Sequence, residues 1–596
     1  MLRYLSFLCL TGLCGFLAQP IEARADAPQL QLNPSVKGHS DSAEAAPAGL
    51  PYDKILEGPI TDYVLKTMGS SGKLGEYAVQ SMMLTQKGYR EQETSGESCA
   101  HSKPYWLLYN IKTQQGIAVA LAYSGNWSFE IKSQGSQTAL HLDTLPAGLK
   151  AFDKVGDIPI PGALVSEFTG AWDYGAQPIA RYIRAHLERD HGEDWPWVQY
   201  NTWYAASGNP TEKLLLGVIP KAAAVGCELI TLDAGWHGLN ARSDWGTTLG
   251  DWKINPDRCT HGLAMISDAF HKAGMKFGLW FEIECAGKGS DIVKAHPDWF
   301  LHNHYAYGRM IFDVNRPEVM DYLERTLDSY VNDCHLDYIK LDFNTPLSSN
   351  GEKDPSGNDL AYSHTRGLVA IWKHLRAAHP QLIVENCASG SHREDVLPAA
   401  FTDTHWVSDR IDNHSNLMMS YGYSYLFPPE MCSHWTVNPD AHDPAMDIEA
   451  QFNVNMMGHF GLSGSLWNWD GATLNILKDR IQFYKSIRSV IRQSDVYHLT
   501  GQAAVDHPRS IQAVFYVDPG SRQALLFAFQ AGDPSRAATL KIPGLQPGAS
   551  YRVIWPEGFG QPEIFTGQQL SDQGLTVTFP HPGSSAIILI QPSANR

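Results

Sequence analysis

The sequence is poor in cysteine, in charge and in long apolar runs. It has nine Cys in 596 residues and no CxxC pair, so neither a structural zinc site nor a dense disulfide framework is expected. Charged residues make up 18% of the chain, and the net charge of −17 comes without a basic block. Such a chain is a poor partner for nucleic acid or an anionic membrane surface. Beyond the N-terminus, no apolar run reaches the ~20 residues of a membrane span.

The first apolar run has the form of an export signal. Met1-Leu-Arg-Tyr leads into apolar residues up to Ala18, and the small-residue site Ala23-Arg24-Ala25 follows. This pattern predicts a cleavable signal peptide over residues 1–25, although a buried first helix would share part of it. Residues 26–50 are rich in Pro, Ala and Ser, as is typical of a linker or disordered arm. We therefore expect a periplasmic or secreted protein.

Aromatic residues, in contrast, are abundant. Trp, Tyr and Phe number 17, 25 and 22, and such rings either fill a core or form flat walls against a ligand. Over residues 51–195, short apolar segments punctuated by Ser, Gly and Gln predict an N-terminal β-sandwich domain. Residues 493–596 return to short strand-like runs with Pro and Gly between them, which predicts a second, C-terminal antiparallel β-sandwich domain.

Residues 196–492 alternate short apolar runs with helical patterns, which predicts a parallel sheet. Several of the apolar runs end in a polar residue: Asp233, Glu282, Asp342, Asn386 and Asp409. Functional side chains at the C-terminal ends of parallel strands are typical of a (β/α)8 TIM barrel, whose usual length is ~250 residues. We therefore predict a catalytic TIM barrel flanked by the two β-sandwich domains.

The strongest candidate for chemistry is the run Asp337-Tyr-Ile-Lys340-Leu-Asp342. Because side chains alternate along a strand, Lys340 and Asp342 face the same side. A neighbouring Lys keeps a carboxylate ionised, which suits a nucleophile, although a structural ion pair inside the barrel would show the same spacing. Asp409 supplies a second carboxylate, or alternatively caps a helix. Two carboxylates at one mouth are the minimum for retaining glycoside hydrolysis.

The run Leu232-Asp233-Ala-Gly-Trp236 places a carboxylate beside an indole. Asp accepts hydrogen bonds from sugar hydroxyls and Trp covers the apolar face of a sugar ring, whereas the alternative is a capped turn with a buried Trp. His302-Asn-His304 has a metal-binding spacing, but no cluster of further ligands accompanies it. We therefore expect no metal and no cofactor.

Taken together, these motifs resemble glycoside hydrolase family 36, the retaining α-galactosidases of clan D. The resemblance covers most of the mature chain and implies the barrel with its two flanking β domains. It also implies an exo-acting hydrolase that removes terminal α-galactosyl-type residues from an oligosaccharide or glycoconjugate. The segments that match in order are Tyr123-Ser-Gly-Asn-Trp127, Asp233-Ala-Gly-Trp236, Leu249-Gly-Asp-Trp252, Gly278-Leu-Trp-Phe-Glu-Ile-Glu284, His296-Pro-Asp-Trp299, Tyr338-Ile-Lys-Leu-Asp342, Glu385-Asn-Cys-Ala-Ser-Gly390 and Pro428-Pro-Glu-Met431.

The resemblance further implies a role for individual residues. Asp342 would be the nucleophile and Asp409 the acid/base. Lys340 would hold Asp342 ionised and contact sugar hydroxyls, and Asp233 would bind the hydroxyls at C4 or C6. The other substrate-binding residues expected are Trp203, Trp236, Trp280, Asn344, Cys387, Ser389, Trp406 and Asp412.

Two departures from the family pattern bear on the identity of the sugar. Ala234 stands where the family usually has a second Asp, and Ser391-His392 stands where it often has further glycines. These changes leave open an α-N-acetylgalactosaminidase or a β-L-arabinopyranosidase on the same scaffold. A transglycosylase and a non-catalytic carbohydrate-binding pseudoenzyme are further alternatives. The sequence predicts no oligomeric state.

Overall fold

The computed structural model describes residues 42–593 apart from 47–48, 71–74, 350, 441–442, 444–445, 504–509 and 532–534, with residues 302–306 and 510 described by their backbone alone. The predicted signal peptide and most of the predicted linker lie outside this range. Within it, no helix has the length and apolar character needed to cross a bilayer.

The N-terminal domain consists mainly of two antiparallel sheets packed face to face. Its strands β1 to β12 are, in order, Glu44–Ala45, Tyr52–Leu56, Tyr63–Gly69, Val79–Met83, Tyr89–Glu93, Ser102–Asn110, Gln115–Ala122, Trp127–Gln134, Gln137–Thr144, Asp153–Val155, Ile158–Ile160 and Gly162–Thr169. One sheet has the order β1-β12-β7-β6-β3-β4 and the other β2-β9-β8-β5, while β10 pairs with β11. Between the two sheets the Trp106 ring stacks on Phe129 at a centroid distance of 4.0 Å.

The end of the predicted linker is packed against this domain. Glu44 and Ala45 pair with Val165 and Leu164 of β12. The side chain of Ala46 is buried behind this pairing, as is that of Leu50 further along the chain. The described end of the predicted linker therefore adds its backbone to a sheet edge, and its apolar side chains leave water.

The middle of the chain forms a closed parallel barrel. Strands β13 to β23 are, in order, Gln199–Asn201, Leu229–Leu232, Lys276–Phe281, Cys285–Gly287, Phe300–Ala306, Arg309–Phe312, Tyr338–Leu341, Ile383–Asn386, Thr404–Trp406, Cys432–Thr436 and His459–Leu462. The barrel order is β13-β14-β15-β19-β20-β21-β22-β23, and β13 closes it by pairing with β23. The intervening β16, β17 and β18 form a small antiparallel sheet beside the mouth.

Helices α1 to α11 are Asp173–His186, Trp203–Ala206, Glu212–Val225, Leu263–Lys272, Asp291–Ala295, Pro317–Asp333, Leu360–Ala378, Val396–Ala399, Asn413–Tyr423, Ile448–Asn455 and Gly471–Gln493. The sequence of α6 shows why such segments are helical: Pro317 occupies its first turn, and Val319, Leu323 and Leu327 are buried at four-residue spacing. This stripe packs into the main hydrophobic core.

The C-terminal domain returns to antiparallel sheets. Its strands β24 to β31 are Asp495–His498, Ser510–Val517, Ala524–Ala531, Ala537–Leu540, Ser550–Ile554, Glu563–Thr566, Leu575–Thr578 and Ser585–Pro592, and helix α12 is Gly567–Asp572. The larger sheet has the order β24-β25-β26-β31-β28-β29, while β27 pairs with β30. A core with Phe515, Leu526 and Ile588 lies inside this domain. The predicted fold class, a TIM barrel between two antiparallel β domains, is confirmed.

Candidate active site

The barrel mouth gathers most of the polar residues that the sequence singles out. Asp233 follows β14, Asp342 follows β19, and Lys340 lies near the end of β19. Sheet pairing places Lys340 opposite Trp280 on one side and Glu385 on the other. Because parallel strands of a closed barrel end at one face, these side chains meet at a single opening.

Asp342 is nearly buried and is held by donors on every side. Its Oδ2 accepts hydrogen bonds from Trp280 Nε1 at 3.0 Å and Asn344 Nδ2 at 2.6 Å. Its Oδ1 accepts from the backbone N–H groups of Phe343 at 2.8 Å and Ser389 at 3.3 Å. Burial would raise the pKa of Asp342, but the charge of Lys340 and hydrogen bonds from Cys387, Asn344 and Trp280 lower it. The carboxylate is therefore kept ionised.

Lys340 is a buried cation between acids and rings. Its Nζ lies 3.4 Å from Asp233 Oδ2 and 3.7 Å from Glu385 Oε1. It also lies 4.9 and 4.5 Å from the ring centroids of Trp406 and Trp435. Burial alone would lower the pKa of Lys340, but the surrounding acidic groups, led by Asp233, raise it well above its ordinary value. The ammonium therefore stays charged, as the prediction for Asp342 requires.

Asp409 differs from Asp342 in its setting. It lies at the rim of the mouth, where the residue is exposed, and its Oδ1 accepts one hydrogen bond from Trp406 Nε1 at 2.9 Å. The protein walls around the carboxyl raise its pKa by partial desolvation, and repulsion from Asp342 and Asp233 adds to the shift, against the opposing effects of Trp406 and Lys340. The site thus holds two carboxyls whose pKa values move in opposite directions.

Aromatic rings form two walls around these carboxyls. On one side Trp245 packs edge-on against Trp280 at 5.4 Å and Trp203 at 6.0 Å. On the other, Trp406 stacks on Trp435 at 3.6 Å. Trp203 and Trp245 are partly exposed, whereas the other three rings are almost buried. A ligand at the mouth would therefore meet more of the Trp203 and Trp245 rings than of the three buried ones.

Several residues of this site were not predicted. Tyr204 donates its hydroxyl to the Asp409 carbonyl oxygen at 3.0 Å. Trp435 lies near the end of β22, and that strand-end position was a usable signal, whereas Trp245 lies in a loop that carries no signal. Arg309 holds Glu282 at 3.1 Å and packs on the Trp245 ring at 4.5 Å.

Two buried acids lie behind the first layer. Glu385 accepts hydrogen bonds from the Tyr338 hydroxyl and, at 3.3 Å, from Gln199 Nε2. Glu282 accepts from the backbone and side-chain N–H groups of Asn344 at 2.8 and 3.1 Å. Burial is the main cause that raises the pKa of both carboxyls. Glu282 stood at a predicted strand end and Glu385 inside a matched motif, but neither position revealed its contacts.

Trp236 is not part of this cluster, contrary to the prediction. Its side chain is fully buried, stacks on Trp252 at 5.9 Å and packs against Phe281 and Tyr330. Its Nε1 donates to the Trp280 carbonyl oxygen at 2.9 Å. After β14 the chain turns so that this indole enters the core behind Trp280. The alternative interpretation, a turn with a buried Trp, describes it.

Asp412 also has a different place from the predicted one. Its carboxylate caps α9, accepting hydrogen bonds from the Ser415 backbone N–H at 2.8 Å and the Ser415 hydroxyl at 2.7 Å. The capping that the sequence left open for Asp409 is therefore performed three residues later. Both carboxylate oxygens of Asp412 are used by the helix, which explains their absence from the contacts around Lys340 and Asp342.

The two departures from the family pattern lie in different loops: Ala234 follows β14, and Ser391-His392 follow β20. Ala234 is buried and its backbone N–H donates to Asp233 Oδ1 at 2.8 Å, so the Ala leaves Asp233 without a neighbouring carboxylate. Ser391 and His392 turn toward the N-terminal domain, where the His392 ring lies 3.5 Å from Glu97. The His392 ring therefore lies against the N-terminal domain, and the Ser391 carbonyl oxygen faces the same domain, where it accepts a hydrogen bond from Lys103 at 2.7 Å.

Among the described residues, no group of three or more His, Cys, Asp or Glu is placed to hold a metal ion. The side chains of His302 and His304 lie outside the described part of the chain. The groups that line the barrel mouth are mainly carboxyl, ammonium and aromatic groups.

Comparison with known proteins settles the family. The family model described as Melibiase matches residues 169–494, more than half of the chain, and the model for the glycosyl hydrolase family 36 C-terminal domain matches residues 511–590. The chain belongs to glycoside hydrolase family 36. This confirms the resemblance drawn from the motifs.

Curated relatives of this family 36 protein are distant. Alpha-galactosidase Mel36A of Lactobacillus acidophilus is 27% identical over 510 residues, covering 80% of this chain and 66% of the relative. Alpha-galactosidase AgaA of Geobacillus stearothermophilus is 26% identical over 394 residues, covering 64% and 52%. The chain thus spans between about half and two thirds of the length of these two relatives.

Solved structures share the fold of this family 36 protein. The alpha-galactosidase of Lactobacillus brevis superposes with a TM-score of 0.80 at 22% identity, over 94% of this chain and 78% of that one. AgaA of Geobacillus stearothermophilus gives 0.78 at 21% identity, over 91% and 76%. At this identity the likeness establishes the shared architecture.

Proposed function

We propose that this protein is a retaining exo-glycosidase that removes terminal α-galactosyl-type residues from oligosaccharides or glycoconjugates. The observation that carries the proposal is the opposite setting of Asp342 and Asp409 at one barrel mouth. A pair of carboxyls whose surroundings push their pKa values apart can divide the roles of nucleophile and acid between them. Of the two, Asp342 is kept ionised and Asp409 is biased toward its protonated form.

The proposed reaction is a double displacement. Asp342 attacks the anomeric carbon while Asp409 protonates the leaving oxygen, which gives a glycosyl-enzyme ester and the free aglycone. Asp409, now ionised, then removes a proton from water, and that water breaks the ester bond. Two inversions at the same carbon retain its configuration. This route requires no metal and no cofactor.

The surrounding residues supply position and charge. Trp280 and Asn344 fix one oxygen of Asp342, and the Ser389 amide fixes the other. The Asp233 carboxylate, held by Lys340 and by Asn201 at 2.8 Å, is the acceptor nearest to the cation and would bind sugar hydroxyls. The partly exposed Trp203 offers a face on which a sugar ring can stack.

The named relatives support galactose as the terminal sugar. Mel36A carries the name alpha-galactosidase, and substituted variants of AgaA were crystallised in complexes with raffinose, stachyose and 1-deoxygalactonojirimycin. Export through the pattern over residues 1–25 is part of the proposal, and the mass of the mature protein from the periplasm or medium tests it.

A second candidate substrate follows from Ala234. Without a second carboxylate beside Asp233, the site loses charge-assisted hydrogen bonds worth about 1.5–3 kcal/mol each. A β-L-arabinopyranoside has the galactose ring stereochemistry without the C6 hydroxymethyl group, so it would lose least from this change. The α-N-acetylgalactosaminide has less support, because the His392 ring of the altered loop lies beside Glu97 of the N-terminal domain, 3.5 Å away.

The proposal is tested by kcat/KM on the aryl α-galactoside, aryl α-N-acetylgalactosaminide and aryl β-L-arabinopyranoside, with the product anomer followed by NMR. We expect the galactoside or the arabinopyranoside to lead and the first product to retain configuration. If the galactoside leads by orders of magnitude, Ala234 does not alter the sugar preference. No turnover on any of them, with binding intact, would identify a pseudoenzyme. Transfer to added sugar acceptors in place of water would identify a transglycosylase.

A further inference from the structure

The loop that follows β20 touches the proposed nucleophile with its first half. We define the nucleophile loop as Cys387–Asp395, between β20 and α8. The Ser389 backbone N–H donates to Asp342 Oδ1 at 3.3 Å, and the Cys387 thiol donates to the same carboxylate. Ser389 adopts a φ of 48°, a left-handed conformation that a serine holds only when its surroundings enforce it. Contacts around Ser389, inside the loop and beyond it, must therefore keep this residue in place.

The second half of the nucleophile loop is covered by the N-terminal domain. Lys103 of β6 donates from Nζ to the Ser391 carbonyl oxygen at 2.7 Å and lies 3.5 Å from Glu394 Oε2, and both side chains are fully buried. The Tyr77 hydroxyl donates to Glu394, and its ring lies 4.4 Å from the Lys103 ammonium. One buried cation thus ties two loop positions to another domain.

Neighbouring contacts extend the same attachment. The Cys99 backbone N–H donates to the His392 carbonyl oxygen at 2.8 Å. The Ser98 and Ser124 hydroxyls donate to Asp395 Oδ2 at 2.5 and 2.8 Å. The N-terminal domain therefore contacts the loop at Ser391, His392, Glu394 and Asp395, whereas Arg393 pairs with Glu284 of the barrel part at 2.6 Å.

Hydrogen bonds within the nucleophile loop join its first half to its second half. The His392 backbone N–H donates to the Ala388 carbonyl oxygen at 3.0 Å, and the Ala388 N–H donates to the Gly390 carbonyl oxygen at 3.1 Å. Gly390 abuts the acid/base segment, because a Cβ there would lie 3.0 Å from Ser408 Cα. A displacement of Ser391 would therefore be transmitted to Ser389 and Cys387 through these hydrogen bonds.

We propose that the N-terminal domain positions the nucleophile, with Lys103 holding the nucleophile loop so that Cys387 and Ser389 keep their hydrogen bonds to Asp342. Lys103 touches no reacting atom and is a positioning residue that acts through Ser391. This rests on the proposed function. Of the two departing side chains, the His392 ring adds a contact of its own to this attachment, 3.5 Å from Glu97.

The consequence of losing Lys103 has a definite sign. Hydrogen bonds to a carboxylate favour its ionised form and lower its pKa. A looser loop weakens two of them, so the pKa of Asp342 rises and a smaller fraction is ionised at mildly acidic pH. The acidic limb of the kcat/KM–pH profile then moves to higher pH, while a simple loss of folded protein lowers the amplitude and leaves the limb in place.

The test compares Lys103→Met, Lys103→Gln and wild type over pH on the best aryl glycoside. For Lys103→Met we expect kcat to fall about tenfold and the acidic limb to rise by about 0.5–1 pH unit. Lys103→Gln keeps a donor for the Ser391 carbonyl oxygen, so its kcat and its acidic limb should lie between those of Lys103→Met and wild type. If Lys103→Met is recovered unfolded, Lys103→Gln and Ser124→Ala carry the same test, with the same direction of shift.

Lys66→Met is the matched control. Lys66 is another buried lysine of the N-terminal domain that reaches the barrel part, donating to the Tyr425 hydroxyl at 3.1 Å away from the nucleophile loop. We expect it to lower the melting temperature and leave the acidic limb unmoved. The positioning role would be overturned if folded Lys103→Met kept the wild-type kcat and acidic limb. An equal shift of the acidic limb in Lys66→Met would overturn it too. An inactive wild type would instead overturn the proposed function.

Discussion

Individual side chains at the barrel mouth are specialised by their neighbours rather than by their type. Asp342 and Asp409 are both aspartates, yet the first is held by a cation and five donors while the second receives one indole N–H. Lys340 remains charged in a buried place because Asp233 and other acids surround it. At this scale, the chemistry is set by hydrogen bonds and charges within a few ångströms.

Asp342→Asn should abolish nearly all turnover, by a factor of about 10³ or more, because an amide cannot form the glycosyl ester. Sugar binding should persist, since Asn has the same shape and keeps an oxygen for some of the donors. Initial rates and quenching of tryptophan fluorescence by sugar separate the two effects. Asp337→Asn is the control, because Asp337 starts the same segment and pairs with His271 at 2.8 Å far from the mouth. Substantial turnover by Asp342→Asn would refute the assignment.

Glu394 should make stability depend on pH around neutrality. Burial raises the pKa of its carboxyl to about 7, against the opposing charge of Lys103 and hydrogen bonds from Tyr77 and Lys103. A folded pKa above the unfolded one stabilises the protein below the unfolded value, and that contribution is lost as pH rises through 7. Relative to Glu394→Gln, wild type should lose on the order of 3 kcal/mol between pH 4.5 and 8. Urea denaturation at several pH values measures this, and parallel pH curves for both proteins would contradict it.

Elements of the barrel show which parts of a site a sequence can specify. Alternation along β19 places Lys340 and Asp342 on one side, and that geometry follows from strand periodicity alone. Trp236 and Asp412 follow strands too, but the turn of the chain after the strand sends one into the core and the other to a helix end. Such turns depend on packing, here against Trp252 and Ser415, that no local pattern contains.

Strand register and contacts between distant segments explain why the sequence did not predict the other residues of the site. Glu385 meets Lys340 because β19 and β20 pair in one particular alignment, which the two strand sequences do not state. Trp245 reaches Trp280 from a loop. The Lys103–Ser391 contact joins residues 288 positions apart. The fold class and the candidate carboxylates Asp342 and Asp409 were accessible from the sequence, whereas the residues that surround them required the assembled structure.

Asp412→Ala tests the reassignment of this residue at the level of α9. Losing an N-cap carboxylate costs about 1 kcal/mol, so the melting temperature should fall modestly. Because both oxygens serve the helix, KM for the best glycoside should stay within about twofold of wild type. Asp412→Ser keeps a capping oxygen and should recover most of the stability. A large rise in KM in both variants would instead return Asp412 to the substrate site.

The three domains are joined by polar contacts that span the whole molecule. Gln502, beside the C-terminal domain, donates from Nε2 to the Tyr77 carbonyl oxygen at 2.8 Å and the Met418 carbonyl oxygen at 2.7 Å. Its Oε1 accepts from the Val79 backbone N–H at 2.8 Å. One side chain thus bonds the N-terminal domain and α9 of the barrel at once. Such cross-bracing favours unfolding as a single unit.

Calorimetry can test this coupling. We expect wild type to unfold in one transition, and Gln502→Ala to separate it into two, because buried donors and acceptors left unpaired cost about 1–3 kcal/mol each. Gln523→Ala is the control, since Gln523 contacts Gln591 within its own domain. Two resolved transitions already in wild type, or none gained in Gln502→Ala, would contradict the bridging role.

The hydrogen-bond donors around Asp342 would stay in place if its carboxylate were removed. Trp280, Asn344 and the amides of Phe343 and Ser389 belong to different strands and loops, and each is anchored by its own contacts. In Asp342→Gly they would converge on an empty space the size of a small anion. Formate or azide entering that space could act in place of the lost nucleophile, and activated glycosyl donors of suitable configuration could be coupled to acceptors there. For the proposed glycosidase, this set of converging donors thus makes the barrel a candidate for conversion from a hydrolytic catalyst into a synthetic one.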